Sequence, residues 1–259
     1  MSEILLTGVN GGVMTLTLNR PDVFNSFNQD MARAFQSALD EAAKNDDVRC
    51  VVITGAGRAF CAGQDLKEVT SEGSPSFQVI VEETYNKSIR RICSLEKPVV
   101  AAVNGVAAGA GANIALACDF VVAKSSVKFI QAFANIGLIP DSGGTYWLPR
   151  LVGMSRAKAL TMLGTPLSAK EAEAIGMIHQ AVEENAFEDS IQTLTAKLAE
   201  MPTRGLALTK KALHAAATND LNSQLELELE LQVAAADTED YAEGVKAFLE
   251  KRKPKFIGR

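Results

Sequence analysis

One aspartate stands between a proline and two glycines in the stretch LIPDSGGT, residues 138–145. Pro140 fixes its own φ and has no amide hydrogen, and the two glycines can adopt backbone angles closed to other residues. Asp141 then has two interpretations. Its carboxylate could accept a hydrogen bond from the first turn of a helix that begins at the glycines. Alternatively, it is a catalytic acid or base on a loop beside the apolar residues that precede it.

Two other stretches combine small residues with polar ones: RAFCAGQDL, residues 58–66, and VNGVAAGAGANIALACD, residues 103–119. Small residues let a ligand approach the backbone closely. A helix that begins in the second stretch would present unpaired amide hydrogens and partial positive charge at its N-terminus. Such amides could stabilise negative charge developing on a substrate oxygen. The alternative explanation of the small residues is close packing of the helix itself.

The composition predicts a folded protein of 259 residues, 47% of them apolar, with a formal net charge of −5. This charge argues against a nucleic-acid partner, which would need clustered positive charge. The four cysteines form no C-x-x-C pair, and the two histidines lie far apart without a cysteine beside them. We therefore expect reduced thiols, a cytoplasmic location and no metal site.

The sequence predicts no membrane association. Its first residues, MSEILLTGVN, contain an acidic residue and no basic segment, unlike a signal peptide. Residues 98–118 are uncharged, but they are mostly alanine and glycine and contain two asparagines. A spanning helix is usually richer in large apolar residues, so a buried strand, a turn and a small-residue helix are the better interpretation.

Strands and helices alternate in the first half of the chain, which predicts an α/β fold. Helical spacing of apolar residues indicates helices over 30–44 and 80–95, and helices dominate after about residue 150. We expect a core over residues 1–200 and a C-terminal helical region over 201–259. The predicted strands are apolar or alternating runs at residues 13–19, 48–55, 98–105 and 119–123.

The segment LELELEL, residues 225–231, alternates like a strand, although leucine and glutamate favour helices. Leu221, Leu225, Leu229 and Val233 form a row at spacing i, i+4, and a second row of apolar residues lies beside it. We therefore predict a helix. With leucine on two adjacent stripes, it could face both its own core and another subunit.

Four stretches, taken in order, resemble the enoyl-CoA hydratase/isomerase, or crotonase, superfamily over nearly the whole chain. They are LNRPDVFNSF at 18–27, RAFCAGQDL at 58–66, VNGVAAGAGANIALACD at 103–119 and IGLIPDSGGT at 136–145. The resemblance implies a spiral of repeated ββα units and a helical C-terminal region that forms trimers, often dimers of trimers. It also implies acyl-CoA substrates, with no cofactor beyond the coenzyme A of the substrate.

The resemblance also assigns residues to a thioester site. The backbone amides of Gln64 and Ala110 would hold the enolate oxygen, and Gly109 would let the thioester approach. For Asp65, a purely structural role as a helix cap is the alternative. The C-terminal pair, Lys255 and Phe256, could reach the coenzyme A of the same or a neighbouring subunit. The implied coenzyme A groove contains Phe24, Ser26, Ala62, Asp65 and Leu66, with the Ala62 backbone contacting adenine.

The two glutamates with which hydratases of this superfamily hold water are missing. One would fall three residues after Ala110, where the chain has Asn113, and the other eight residues before Asp141, where it has Phe133. Neither side chain can act as a general base. Phe133 would make the pocket apolar, and desolvation would raise the pKa of Asp141 toward the range of a proton shuttle. We therefore expect Asp141 to be the catalytic acid/base.

This pattern predicts an isomerase that shuttles a proton next to a thioester enolate. The stretches GLIPDSGGT at 137–145 and EGVKAFLEKRKPKF at 243–256 most resemble members that convert the ring epoxide of phenylacetyl-CoA to an oxepin and 3-enoyl-CoA to 2-enoyl-CoA. A plain enoyl-CoA or dienoyl-CoA isomerase and an enoyl-CoA hydratase are the enzymatic alternatives. A non-catalytic acyl-CoA-binding or RNA-binding protein is the alternative of another class.

Overall fold

Long and short strands alternate along the first half of the chain, as a computed structural model describing residues 3–259 shows. The predicted strands over 13–19, 48–55, 98–105 and 119–123 are all present, each shortened or shifted by one or two residues at one or both ends. The strands are β1 Leu5–Asn10, β2 Val13–Leu18, β3 Cys50–Gly55, β4 Ala59–Cys61, β5 Val99–Val103, β6 Val106–Ala108, β7 Phe120–Lys124, β8 Lys128–Ile130, β9 Leu167–Ser168 and β10 Gln180–Val182.

The helices flank the sheets and dominate the second half. A π-helix, Ile80–Asn86, lies between α3 and α4. The α-helices are α1 Gln29–Lys44, α2 Leu66–Thr70, α3 Phe77–Val79, α4 Lys87–Ser94, α5 Ala110–Leu116, α6 Gly144–Leu163, α7 Ala169–Ala174, α8 Phe187–Glu200, α9 Thr203–Ala216, α10 Leu221–Ala236 and α11 Glu239–Leu249.

The larger sheet has the strand order β1-β2-β3-β5-β7-β10. The first two strands are antiparallel, and the remaining neighbours are parallel. Parallel strands are covered on both faces, which is why β5 is an uninterrupted apolar run with every residue buried. The α/β fold predicted from the sequence is confirmed.

The second sheet, β4-β6-β8-β9, is built from short strands. Each of β3, β5 and β7 in the larger sheet is followed directly by β4, β6 or β8 in the smaller one. This repetition forms the predicted spiral. Because β4 and β6 are parallel neighbours, the segments that leave their C-terminal ends meet at one edge. Those segments contain Gly63 and Gly109.

The helix predicted over 80–95 begins as a π-helix and becomes α-helical only at Lys87. Apolar periodicity is too coarse to distinguish the two helix types over two turns. The π-helix buries Ile80, Thr84 and Tyr85.

The C-terminal part of the described chain is helical, as predicted. The LELELEL segment lies within α10, which confirms the helix, and Leu231 is its buried residue. The predicted division at residue 200 falls at the end of α8, and it stays a prediction. Within residues 3–259, no helix combines the length and apolar composition needed to cross a membrane.

Candidate active site

Asp141 lies on a tight turn between a short 3-10 helix, Ala132–Ile136, and α6. Ser142 and Gly143 both have positive φ, 52° and 77°, which reverses the chain immediately after the aspartate. Gly143 is the N-cap residue of α6, and no side chain caps this helix. The helix-cap interpretation of Asp141 is therefore wrong. Its carboxylate Oδ1 instead accepts a hydrogen bond of 2.9 Å from the Ser142 hydroxyl.

Burial changes the acidity of Asp141. Desolvation raises the pKa of this carboxyl from 3.8 to about 6, and the hydrogen bond from Ser142 opposes the rise. A carboxyl group with this pKa is largely ionised at neutral pH, yet it holds a proton more firmly than an exposed aspartate. Asp141 can therefore accept a proton from a carbon acid and return it.

Gln64 and Ala110 are brought together at the edge where β4 and β6 end. Gly63, with φ of 94°, brings the two segments into contact. A Cβ atom on Gly63 would lie 3.0 Å from the Ala108 carbonyl oxygen and 3.4 Å from the Ala110 amide nitrogen. Ala110 is the first residue of α5, which begins inside the stretch where a helix was predicted to begin. The close approach places the Gln64 and Ala110 peptide units side by side.

Both of these amides are available to a ligand. Around Gln64, the Phe27 amide donates to the Gly63 carbonyl at 2.7 Å and the Asp65 amide donates to the Phe27 carbonyl at 2.8 Å. This pairing leaves the Gln64 amide directed away from Phe27. Within residues 3–259, neither the Gln64 nor the Ala110 amide donates a hydrogen bond to the protein. Two unpaired donors beside a helix N-terminus can stabilise an oxyanion.

The Gln64 side chain is held by two residues that the sequence analysis did not identify. Its Oε1 accepts a hydrogen bond of 2.8 Å from the Tyr85 hydroxyl, and its Nε2 donates to Glu68 Oε2 at 3.0 Å. Burial raises the pKa of the Tyr85 hydroxyl well above its usual value of 10, and the negative charge of Asp141 adds to the rise. Tyr85 lies on the π-helix, so no regular helical spacing could have placed it at this site.

Phe133 and Asn113, which occupy the positions of the missing glutamates, border the same site. The Phe133 ring lies against Gly109, where an added Cβ atom would be 3.8 Å from its Cζ. Phe133 is buried and gives this end of α5 an apolar wall. The Asn113 amide is also buried, and its Nδ2 donates to the backbone carbonyl of Asp141 at 2.9 Å. Positions 113 and 133 therefore supply no carboxylate to the site.

The residues predicted to form the coenzyme A groove divide into two groups. Phe24, Ala62 and Leu66 are exposed, and the Ala62 amide donates to the Phe24 carbonyl at 3.0 Å. The Arg58 guanidinium, which the sequence analysis did not identify, lies 4.5 Å from the centre of the Phe24 ring. These residues form one surface on which an adenine or phosphate group can rest. Contact with coenzyme A stays a prediction.

Ser26 and Asp65 are buried beneath that surface. Arg20 ties them together, because one guanidinium nitrogen contacts Asp65 Oδ2 at 2.7 Å and another donates to the Ser26 carbonyl at 2.6 Å. Asp65 also caps α2 by accepting a hydrogen bond from the Lys67 amide at 3.1 Å. Its structural interpretation is therefore confirmed. The buried ion pair fixes the loop that presents the exposed groove residues.

The C-terminal tail packs on its own chain. The Lys255 amide donates to Glu243 at 2.8 Å, and the Phe256 ring packs over Gly244 of α11. The Phe256 carbonyl accepts a hydrogen bond of 3.4 Å from Arg49. Contact of Lys255 and Phe256 with coenzyme A stays a prediction.

Comparison with known proteins places this geometry in a family. A sequence profile described as enoyl-CoA hydratase/isomerase matches residues 8–259. The chain belongs to the enoyl-CoA hydratase/isomerase family. It is 50% identical to the 1,2-epoxyphenylacetyl-CoA isomerase of Escherichia coli (strain K12), over 100% of both chains. It is 36% identical to the short-chain-enoyl-CoA hydratase of Clostridium acetobutylicum, over 94% of this chain and 93% of that protein.

Solved structures of the family share the fold. The crystal structure of an enoyl-CoA hydratase from Bacillus anthracis superposes with a TM-score of 0.92 at 32% identity, covering 99% of this chain and 100% of that one. This family member is therefore an enzyme with a crotonase fold. Its relatives include both an isomerase and hydratases, so the choice of reaction depends on the residues of the site.

Proposed function

We propose that this enzyme is an acyl-CoA isomerase in which Asp141 moves one proton beside a thioester enolate. The observation that carries the proposal is the carboxylate of Asp141, which is half-buried and forms no ion pair within residues 3–259. Positions 113 and 133 supply no second acid beside it. Hydration in this family is expected to need two carboxylates to hold and activate water. A single shuttle suits a reaction in which the proton removed is later returned.

The reaction on a 3-enoyl-CoA balances with these groups alone. Asp141 takes a proton from the carbon α to the thioester, and the electron pair delocalises onto the thioester oxygen. The amides of Gln64 and Ala110 stabilise that oxygen, each contributing about 3–4 kcal/mol by analogy with single-donor deletions. Asp141 then returns the proton to the γ carbon, and the double bond moves to the 2-position. No atom is gained or lost.

For the acyl group, we propose an aromatic thioester, ring-1,2-epoxyphenylacetyl-CoA. The support is the full-length identity of 50% to an enzyme named for that substrate and the apolar wall that Phe133 forms beside Gly109. Conversion of the epoxide to an oxepin also relocates a proton next to the thioester without changing the mass. The same groups would therefore serve both substrates.

The substrate proposal is tested by steady-state kinetics on the ring epoxide and on a 3-enoyl-CoA, assayed separately with the purified enzyme. We expect both thioesters to be isomerised, with the higher kcat/KM for the aromatic epoxide. Turnover of the 3-enoyl-CoA alone would reject the aromatic substrate and keep the isomerase. Turnover of neither, with coenzyme A still bound, would reject catalysis by this site.

The acidity of Asp141 predicts the pH dependence of the reaction. Protonation removes the base, so kcat/KM should fall about tenfold per pH unit below the pKa of the free enzyme. Since burial raises this pKa to about 6, the decline should begin near pH 6. The measurement is a pH profile of kcat/KM for 3-enoyl-CoA. A profile that stays flat down to about pH 4, where an exposed aspartate titrates, would contradict the assignment.

We also propose that the enzyme is a homotrimer or a dimer of trimers. The row predicted to face another subunit is exposed in the single chain, with Leu221 at 72%, Leu225 at 52%, Leu229 at 67% and Val233 at 55% accessibility. An apolar stripe of this size on a helix is unusual for a surface left in water. A second copy of the chain would cover it.

A further inference from the structure

Asn113 occupies a buried position between α5 and the Asp141 turn. Its amide makes two side-chain hydrogen bonds: Nδ2 donates to the Asp141 carbonyl at 2.9 Å, and Oδ1 accepts from Gln131 Nε2 at 2.8 Å. The orientation of the Asn113 amide is fixed, because a carbonyl oxygen can only accept. Both Asn113 and Gln131 are buried, at 0% and 6% accessibility. Bulk water therefore does not compete for the hydrogen bond between these two side chains.

The turn is shaped around the Asn113 side chain. A Cβ atom on Gly144 would lie 2.3 Å from Asn113 Nδ2, so only glycine allows α6 to begin at this distance. The Gly144 amide donates to the Asp141 carbonyl at 2.8 Å, which gives this oxygen a second donor. Two donors on one carbonyl hold the Asp141 peptide unit on both sides.

The same helix carries one of the predicted oxyanion donors. Ala110 begins α5, and Asn113 lies one turn later on it. One short helix, α5, and one hydrogen bond, from Asn113 to the Asp141 carbonyl, therefore connect the Ala110 amide to the Asp141 turn. Reaction rates are sensitive to this kind of geometry, since a misplacement of about 1 Å can cost about 100-fold.

We propose that Asn113 is a positioning residue that fixes Asp141 relative to the thioester oxygen, with Gln131 orienting its amide. This inference rests on the proposed role of Asp141. It also gives position 113 a different task from that of the glutamate expected in hydratases. With its amide engaged at both ends, Asn113 does not hold a substrate water, and it acts on the substrate only through Asp141.

The test compares Asn113→Asp with Asn104→Asp. Asn104 is a matched control outside the site: its Oδ1 accepts from the Gly55 amide at 3.1 Å and its Nδ2 donates to the Gly57 carbonyl at 3.0 Å. Each substitution keeps the shape and the acceptor but removes the donor. For Asn113→Asp we expect kcat on 3-enoyl-CoA to fall between about 10-fold and 100-fold with KM unchanged. Asn104→Asp should leave kcat unchanged.

Thermal unfolding of both variants separates positioning from folding. If Asn113→Asp lowers Tm as Asn104→Asp does and leaves kcat at the wild-type value, the residue only holds the fold and the inference is wrong. Gln131→Met provides a milder variant in case Asn113→Asp does not fold. It keeps Asn113 but frees its amide, so kcat should fall several-fold with KM unchanged. A wild-type kcat for Gln131→Met would overturn the inference.

Asp141→Asn, measured in the same series, distinguishes this inference from the proposed function. Its backbone carbonyl still accepts from Asn113, but its side chain can no longer take a proton. An inactive Asp141→Asn beside a fully active Asn113→Asp would reject the positioning role alone. An active Asp141→Asn would reject the proposed function, and the inference would fall with it.

Discussion

Replacing Asp141 by asparagine is expected to lower kcat for 3-enoyl-CoA isomerisation by between about 100-fold and 10,000-fold, the range that one general acid/base supplies. Asparagine has nearly the same shape, and the Ser142 hydroxyl can still donate to its oxygen. The amide, however, cannot accept the α proton. KM should change little, because the predicted coenzyme A surface at Phe24, Ala62 and Leu66 is not altered. The measurement is steady-state kinetics at pH 8, where Asp141 is ionised.

The same substitution should not destabilise the fold at neutral pH. In the folded state the pKa of Asp141 is raised from 3.8 to about 6, so burial favours its neutral form. The stability it contributes is present below about pH 4 and is lost as the pH rises through 6. The rise corresponds to about 3 kcal/mol as an upper figure. Asp141→Asn removes this cost, so its free energy of unfolding at pH 7 should equal or exceed that of the wild type.

These two results together distinguish a catalytic carboxylate from a structural one. A catalytic residue that lowers the stability of the fold should, when replaced, cause loss of turnover and leave the free energy of unfolding equal or greater. A structural carboxylate would show the opposite, with stability lost and turnover retained in the folded fraction. Near wild-type turnover of Asp141→Asn would contradict the role of Asp141 as the proton shuttle.

Gly111→Ala is the second substitution with a large expected effect. A Cβ atom on Gly111 would lie 2.2 Å from the Cys61 carbonyl oxygen and 2.7 Å from the Cys61 Cβ, so α5 must move away from the end of β4. That movement separates the amides of Ala110 and Gln64. We expect kcat to fall by between about 100-fold and 1,000-fold, as for a lost oxyanion donor. Overpacking should also cost about 1–3 kcal/mol of stability in urea unfolding.

Gly205→Ala is the matched control, since Gly205 also lies within a helix, α9. An added Cβ atom there meets only the Pro202 side chain, at 3.6 Å, which is an ordinary contact. Alanine favours a helix interior over glycine by up to about 1 kcal/mol, so this variant should be at least as stable as the wild type and fully active. If Gly111→Ala behaved like Gly205→Ala, the close contact between α5 and β4 would not set the oxyanion site.

Much of the fold could be predicted because its signals are local. The apolar runs that became β3 and β5 are buried on both faces, and no other element fits a run of that length closed by glycine. In the LELELEL segment, the helix propensity of the residues predicts the structure correctly, whereas the two-residue alternation does not. Its strict alternation would suit a strand, yet α10 forms because leucine and glutamate favour helices, and its buried residue, Leu231, packs against the rest of the chain.

Residues of the candidate site could be predicted where they lie in short sequence motifs. They could not be predicted where they depend on contacts between distant parts of the chain. Gln64 and Ala110 lie in short stretches that resemble the family's motifs, so the resemblance could assign both residues from local sequence alone. The bonds from Tyr85 to Gln64 and from Asn113 to Asp141 join residues 21 and 28 positions apart. Such pairs depend on how the spiral stacks and, for Tyr85, on a π-helix. No periodicity in the sequence encodes them.

The mass of the product formed from a 3-enoyl-CoA tests the central claim most directly. The purified enzyme is incubated with the thioester, and the product is followed by mass spectrometry together with the ultraviolet absorbance of the conjugated thioester. A conjugated product of unchanged mass, formed by the wild type and not by Asp141→Asn, is the result we predict. A product heavier by one water would contradict the account, because the site would then activate water without the two glutamates.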